Sequence, residues 1–567
     1  MALVGEAVER ALEERRRAAA LRDEDPVAAA GQLRAAVAGL SVESQPVEFG
    51  LANYDLAGVL LEGEASNAIL NEAAQAAARA LLVFTPQELP DLFAGASERL
   101  GQAQWRAGRR EAAQRTYAQT AGALGAVGQH GLQARLLAGY ARAAGQDAKP
   151  NDPFSVRQAV GVFDEAIAAA RKADARGLLV SLLNGSGRLL ASNPASADEA
   201  LSRFDQAAEA VNDANVDVGV AMAVHANRAA AYGLRQAGDR DANLQEAIAS
   251  YNKAVHLPGI AEHAGEAAQL YRALGAAWGQ RPGGDRAQNL RQADSALATA
   301  LELLPDDSPH SERASMWSER GLAQAELSQR GIPGATSAAV EAFREGLKAA
   351  SNNEATALAA QLANNLGSAI MSAAGQGLEA SLAEAAEALD RAAELWTSLG
   401  RPEDAGASQL NAGLVYMTLH STEGDASHLD KAIERLQAAS EARPLATHPA
   451  PHAVAQFNLG MALAFRAQGR NETDLAASVA AFRAALQVWT GPNAPPQAAV
   501  AHANLGSMLF GMAKQNEPDL LREAAYHYEQ ALAVYTPSTN PQQHQVISSN
   551  LALLRRRQGI GSGNGAI

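Results

Sequence analysis

The chain has 567 residues, 47% hydrophobic and 19% charged, with no cysteine and a formal net charge of −15. That apolar fraction excludes a disordered class, and the missing thiols exclude disulfides, thiolate metal sites and cysteine nucleophiles. The acid excess repels phosphate backbones and argues against a nucleic-acid partner.

The N-terminus reads MALVGEAVERALEERRR. It lacks a basic start followed by an apolar core, so no secretory signal is read there. No uninterrupted apolar run of about 18 residues follows, so neither a membrane span nor a membrane partner is expected and a cytoplasmic location is the default. Residues 1–95 have a helical pattern without a common register and are expected to form an irregular N-terminal helical region. Arg15–Arg17, like Arg555–Arg557, reads as a solvated helix face.

Residues 96–215 carry shorter, looser units. Gly101, Ala113, Tyr117 and Thr120 outline one, and Phe163 and Phe204 read as anchors of two more. The Pro- and Asp-rich stretch 146–153 is the strongest loop signal and a candidate bend.

From 216 to 558 the pattern becomes strict. Ala229, Gly275, Gly321, Gly367, Gly413, Gly460 and Gly506 follow one another at steps of 46, 46, 46, 46, 47 and 46. Tyr251, Leu297, Phe343, Leu389, Leu436, Phe482 and Tyr528 follow at the same steps. Each large anchor has a small residue four before it and another three after it, as Ala385 and Ala392 flank Leu389. Those spacings share one helix face. The period therefore predicts stacked units of two helices, a first helix carrying the small residue and a second carrying the anchor. Leu244, Leu290, Leu382, Leu429, Leu475 and Leu521 hold a further register, expected in the turn between them, with Thr336 the exception.

Leu274-Gly275-x-x-Trp278 and Ala339-x3-Phe343 resemble the two halves of the tetratricopeptide signature. Ala247-x3-Tyr251 and Ala524-x3-Tyr528 repeat its second half. The usual unit is about 34 residues, so these are long. Long units of this kind resemble the arrays that accompany caspase-like CHAT peptidase domains in bacteria. No peptidase segment is recognisable, and without cysteine none of that type would work. The resemblance implies an all-α, right-handed superhelical solenoid of antiparallel helix pairs, with 96–215 as less regular units of the same type.

Two residues before the small position stand Asn227, Asn365, Asn411, Asn458 and Asn504, with Ala273 and Glu319 the exceptions, and Asn550 continues the series. Asparagine is a mediocre helix former, so its return needs a cause. The resemblance puts this position on the concave groove, where amides grip the main chain of an extended peptide. An amide offers a donor and an acceptor for that purpose. The alternative is a bond to a neighbouring helix or to the preceding turn. The resemblance also places Met371, Met417, Met461, Phe457, Phe465 and Phe510 on the groove. Methionine suits adaptable apolar recognition or, equally, filling gaps in an alanine-rich core. Basic residues are sparse there, so a carboxylate clamp is not expected.

Catalytic and metal motifs are absent. There is no Gly-Lys pair for a phosphate loop and no HExxH. Ser186 lies between Gly185 and Gly187 without the outer context of a nucleophile elbow. His448 and His452 lie in RPLATHPAPHA, where the prolines are expected to prevent a helix and hence a metal pair. The expected function is binding of a protein or peptide partner in the groove of a scaffold, adaptor or regulator, without a cofactor. A ligand- or signal-peptide-sensing regulator, and an enzyme with a pocket built on the repeat scaffold, are the alternatives. Residues 559–567 read as a disordered Gly/Ser/Asn tail.

Overall fold

A computed structural model describes residues 2–63, 65–150, 152–213, 215–350, 356–467, 471–491, 493–513 and 517–558. The tail read at 559–567 lies outside them. Among the described residues there are 25 α-helices and no strand. None is long and apolar enough to cross a membrane. The chain divides into two compact units, meeting in sequence between Gly284 and Asp285.

In the first unit α1 (Ala2–Leu21) packs on α2 (Pro26–Ala38), α3 (Pro46–Leu60) on α4 (Asn67–Ala80), and α5 (Pro90–Arg106) on α6 (Arg110–Ala126). Then α7 (His130–Asp147) packs on α8 (Pro153–Lys172), α9 (Arg176–Ala191) on α10 (Ala197–Asp213), and α11 (Val218–Leu234) on α12 (Arg240–Val255). The unit ends with α13 (Ala264–Gln280). Helices α7 and α8 pack directly across residues 146–153, so the loop there makes no break.

The second unit opens with α14 (Arg286–Leu303). Its pairs are α15 (His310–Gln329) with α16 (Ala335–Ala349), and α17 (Thr356–Gly375) with α18 (Leu382–Ser398). Next come α19 (Pro402–Glu423) with α20 (Ser427–Ala442), and α21 (Pro449–Ala467) with α22 (Glu472–Val488). Last are α23 (Pro496–Met512) with α24 (Pro518–Val534), followed by α25 (Pro541–Arg557). Each unit is a tetratricopeptide-like stack of antiparallel helix pairs.

The glycine and anchor registers meet in space. A Cβ added at Gly321 would stand 2.5 Å from the Phe343 ring, and one at Gly413 2.6 Å from Leu436 Cγ. At Gly506 it would stand 2.9 Å from the Tyr528 ring, and at Gly367 it would overlap Leu389. So the first helix supplies a socket and the second a knob. The looser upstream units use the same device, with Gly101 against Tyr117 and Gly187 against Phe204. The flanking alanines are buried for the same reason, and most sockets close over a fully buried anchor. Burying each such side chain contributes about 1.5–3 kcal/mol.

The added unit length goes into helix, which corrects one expectation. Leu244, Leu290, Leu382, Leu429, Leu475 and Leu521 lie in the first turns of the second helices, not in the connecting turn. The turns themselves are short. Gly238, Gly284, Gly331, Gly377 and Gly424 adopt φ of 82°, 76°, 73°, 73° and 75°, a conformation glycine enters without a Cβ penalty. Asp239 and Asp285 then cap the next helix by accepting from the Ala242 and Ala287 N–H groups.

Second helices are joined by ion pairs. Arg344 bridges to Glu384 at 2.9 Å, Arg435 to Asp390 at 2.7 Å and Arg483 to Glu523 at 2.8 Å. Such partly exposed pairs contribute at most about 1 kcal/mol each, so packing sets the stack and charge tunes it.

Gly413→Ala is expected to lower stability by about 1–3 kcal/mol in urea unfolding, because Leu436 must leave its socket. Gly161→Ala, in the interior of α8 with open space around it, is expected to raise it by about 0.5–1 kcal/mol. Equal effects of the two changes would refute the socket.

Candidate functional site

First helices pack on the next first helix as well as on their own partners. In the second unit α15 touches α17, α17 touches α19, α19 touches α21, and α23 touches α25. Asn504 of α23 donates to Met461 Sδ of α21 at 3.0 Å and closes the series. The first helices thus form one wall within the unit.

The recurrent amides are all half-buried; Asn365, Asn411, Asn458, Asn504 and Asn550 lie on first helices of the second unit, and Asn227 lies on α11 of the first. Asn411 donates to Asn364 Oδ1 at 3.3 Å, and Ser408 donates to the same oxygen at 3.2 Å. In the first unit Asn227 donates to Asn184 Oδ1 at 2.9 Å. Asn550 hydrogen-bonds with Tyr528. Asn458 donates to the Val454 carbonyl of its own helix at 2.9 Å. Several amides therefore tie one first helix to its neighbour, each bond using one hydrogen of the –NH2 group. Asn365 lies half-buried on α17, but its neighbour Asn364 is the residue that receives Asn411. The signal for Asn184 and Asn364 was present in sequence: each stands three residues before a socket glycine, Gly187 and Gly367.

The apolar candidates divide. Met371 and Met417 are half-buried and pack against the central core of the second unit. Met461, Phe457 and Phe510 pack against its C-terminal core. Phe465 projects from α21, half exposed. Val454, Phe457, Asn458, Met461 and Phe465 fall at helical spacing on α21 and form one stripe.

Beside that stripe lies a cleft of about 700 Å³. Leu414 of α19, Val454 and Phe457 of α21, and Val488 and Trp489 at the end of α22 give its apolar walls. Asn458, Thr490, Asn493 and Gln497 add neutral polar groups. The Phe457 and Trp489 rings stand 5.4 Å apart, tilted by 52°. Phe457 also meets Phe482 edge-on at 6.0 Å, and Phe482 fills the socket at Gly460. Of this cleft only Phe457 and Asn458 were read from sequence. Leu414, Val488 and Trp489 come from other helices, and although Trp489 recurs in register with Trp396 and Tyr535, that register was not read from the sequence.

No group of three or more metal-ligating side chains occurs among the described residues. The expectation that prolines prevent a helix around His448 and His452 is corrected. Pro449 begins α21, and proline is well suited to a first turn, where its missing N–H costs nothing. The two histidines still diverge, His448 towards Glu403 and His452 towards Ser440 and Arg443. Ser186 is fully buried, and its flanking glycines admit the Phe163 and Phe204 rings, so this trio is packing.

Two buried imidazoles, His225 and His527, and the half-buried His502 have lowered pKa values. His502 Nδ1 lies 2.7 Å from His527 Nδ1, one ring donating to the other. Burial lowers both, and His527 falls to about 4, with His502 and Arg483 lowering it further and Glu523 opposing. His225 is likewise pushed to about 4 by burial, with Lys253 and Arg228 nearby. Each folded value lies below the ordinary value of about 6.5. Their stabilisation is therefore complete above that pH and is lost as pH falls towards 4.

No family model matches this chain, and no curated protein does. Among solved structures it is similar to the apo form of RapI, at 13% identity over 68% of this chain and 99% of that one, with a TM-score of 0.39. It is also similar to a signal-transduction ATPase with a tetratricopeptide repeat sensor from Pyrococcus horikoshii, at 10% identity over 92% and 74%, with a TM-score of 0.35. Yeast Tom70 matches at 13% identity over 98% and 97%, with a TM-score of 0.28. These values transfer neither a partner nor a site.

Lowering pH from 7 to 5 is expected to reduce urea stability by about 1–2 kcal/mol for each of His225 and His527. His527→Leu is expected to flatten that slope. An unchanged slope would show that the pair does not titrate in this window.

Proposed function

We propose that the chain binds a protein or peptide segment along the first-helix wall of its second unit, acting as a scaffold, adaptor or regulator. The observation that carries this reading is the lack of charge on the wall beyond α15, which itself carries Glu312, Arg313, Glu319, Arg320 and Glu326. Stretches 356–375, 405–422, 449–465, 493–513 and 541–553 contain no Asp, Glu, Lys or Arg, although the chain as a whole is strongly acidic. Beyond α15 the charges of this unit gather mostly on second helices, as in the Arg344–Glu384 and Arg483–Glu523 pairs. A wall of amides, thioethers and phenyl rings favours recognition by shape, apolar contact and main-chain hydrogen bonds. The amides that tie helices together keep acceptor capacity in their carbonyl oxygens, so the structural and binding roles are compatible. The unit length, shared with arrays that accompany CHAT peptidases, fits an adaptor. Binding of this kind requires no cofactor and no catalytic group of the chain.

The test compares wall and ridge with one partner recovered by affinity capture from the native cell. Asn411→Ala, Asn458→Ala and Asn504→Ala together are expected to weaken its binding about tenfold or more, with helicity retained. Arg344→Ala with Glu384→Ala, on second helices, is expected to leave binding unchanged. Partner loss with the second set, and retention with the first, would place binding elsewhere.

A further inference from the structure

The cleft beside α21 is lined by packed aromatic rings. Its floor is an aromatic chain, Trp489 to Phe457 to Phe482, and the last ring is locked in the Gly460 socket. Trp489 is itself buried. A floor held in this way is shaped before any partner arrives, so little ordering is needed on binding. The mouth is accessible, since Val454 at the rim is 37% exposed.

We infer that this cleft is an anchor pocket for one large uncharged side chain, aromatic or aliphatic, projecting from the bound segment. The inference rests on the wall being the binding surface. Charge matching supports it: no Asp, Glu, Lys or Arg lines the cleft. A lysine or glutamate entering there would lose its hydration without gaining a partner. An apolar group gains the transfer free energy of its whole surface. Neutral polar groups set orientation. Asn458 commits its –NH2 to the Val454 carbonyl, which leaves its Oδ1 to accept an indole or main-chain N–H. At about 700 Å³ the cleft exceeds one side chain, so the adjoining main chain of the segment enters with its anchor. That is the volume class of specific ligand pockets, about 300–1,000 Å³.

The test uses the full chain and a short dye-labelled peptide of Ala and Gln, acetylated and amidated, with one central guest residue. Affinity is read by fluorescence anisotropy. Trp and Leu guests are expected to bind at least about tenfold tighter than Ala, the effect of burying one such side chain. Lys and Glu guests are expected to bind no tighter than Ala. Val454→Asp removes the advantage and Val454→Ile retains it. Phe154→Asp, an exposed position on second helix α8 of the first unit, leaves it unchanged. Affinity independent of the guest overturns the pocket and leaves wall binding standing. A preference for Lys or Glu, or an advantage that survives Val454→Asp, overturns it as well. If no peptide binds, pocket and wall fall together. If free N-acetyl-tryptophanamide binds as tightly as the Trp peptide, the cleft is a small-ligand site and the anchor assignment is wrong.

Discussion

Everything in this architecture depends on one contact, a large side chain of a second helix seated where the first helix has no side chain at all. The contact works because protein interiors pack to crystalline density, so a missing methyl is a shape as definite as a present ring. Its repetition fixes the distance between paired helices, and that distance fixes how the next pair is received. A two-helix unit leaves one apolar side open, and only a neighbour covers it. Stability therefore accumulates along each stack instead of residing in one central core.

The sockets also segregate chemistry. Small residues and anchors occupy the seam between paired helices, leaving two outward surfaces. The second helices carry arginines and carboxylates, and pairs such as Arg344–Glu384 and Arg435–Asp390 tie successive second helices together. The first helices of the later pairs carry almost no charge. Charge is easily solvated on an outer ridge and costly on a surface that must be covered. The division thus separates a soluble side from a side fitted for contact.

Within the wall, structure and recognition share residues. Asn411 and Asn504 each spend a hydrogen on the neighbouring first helix. Such bonds hold the wall in register while leaving part of each amide available. The aromatic lining of the cleft extends into a socket through Phe457 and Phe482, so this part of the surface is a continuation of the repeat's own packing.

The sequence alone determined the helical class, the paired-helix unit, the seam between the two helices and the absence of charge on the later first helices. These follow from periodicity, because a residue that recurs at one step must occupy one environment. It did not determine where the register leucines fall, since a longer turn and a longer helix consume the same number of residues. The first turn of α21 was misjudged because proline is excluded from helix interiors but not from their starts. Only the tertiary structure decided that Asn364 receives Asn411, and that Leu414, Val488 and Trp489 converge beside Phe457. Those cleft residues come from three helices and stand in different registers of the repeat, and the period does not say which registers meet. Their proximity is set by the angle and offset at which units stack, which the sum of many small contacts decides and no linear spacing encodes.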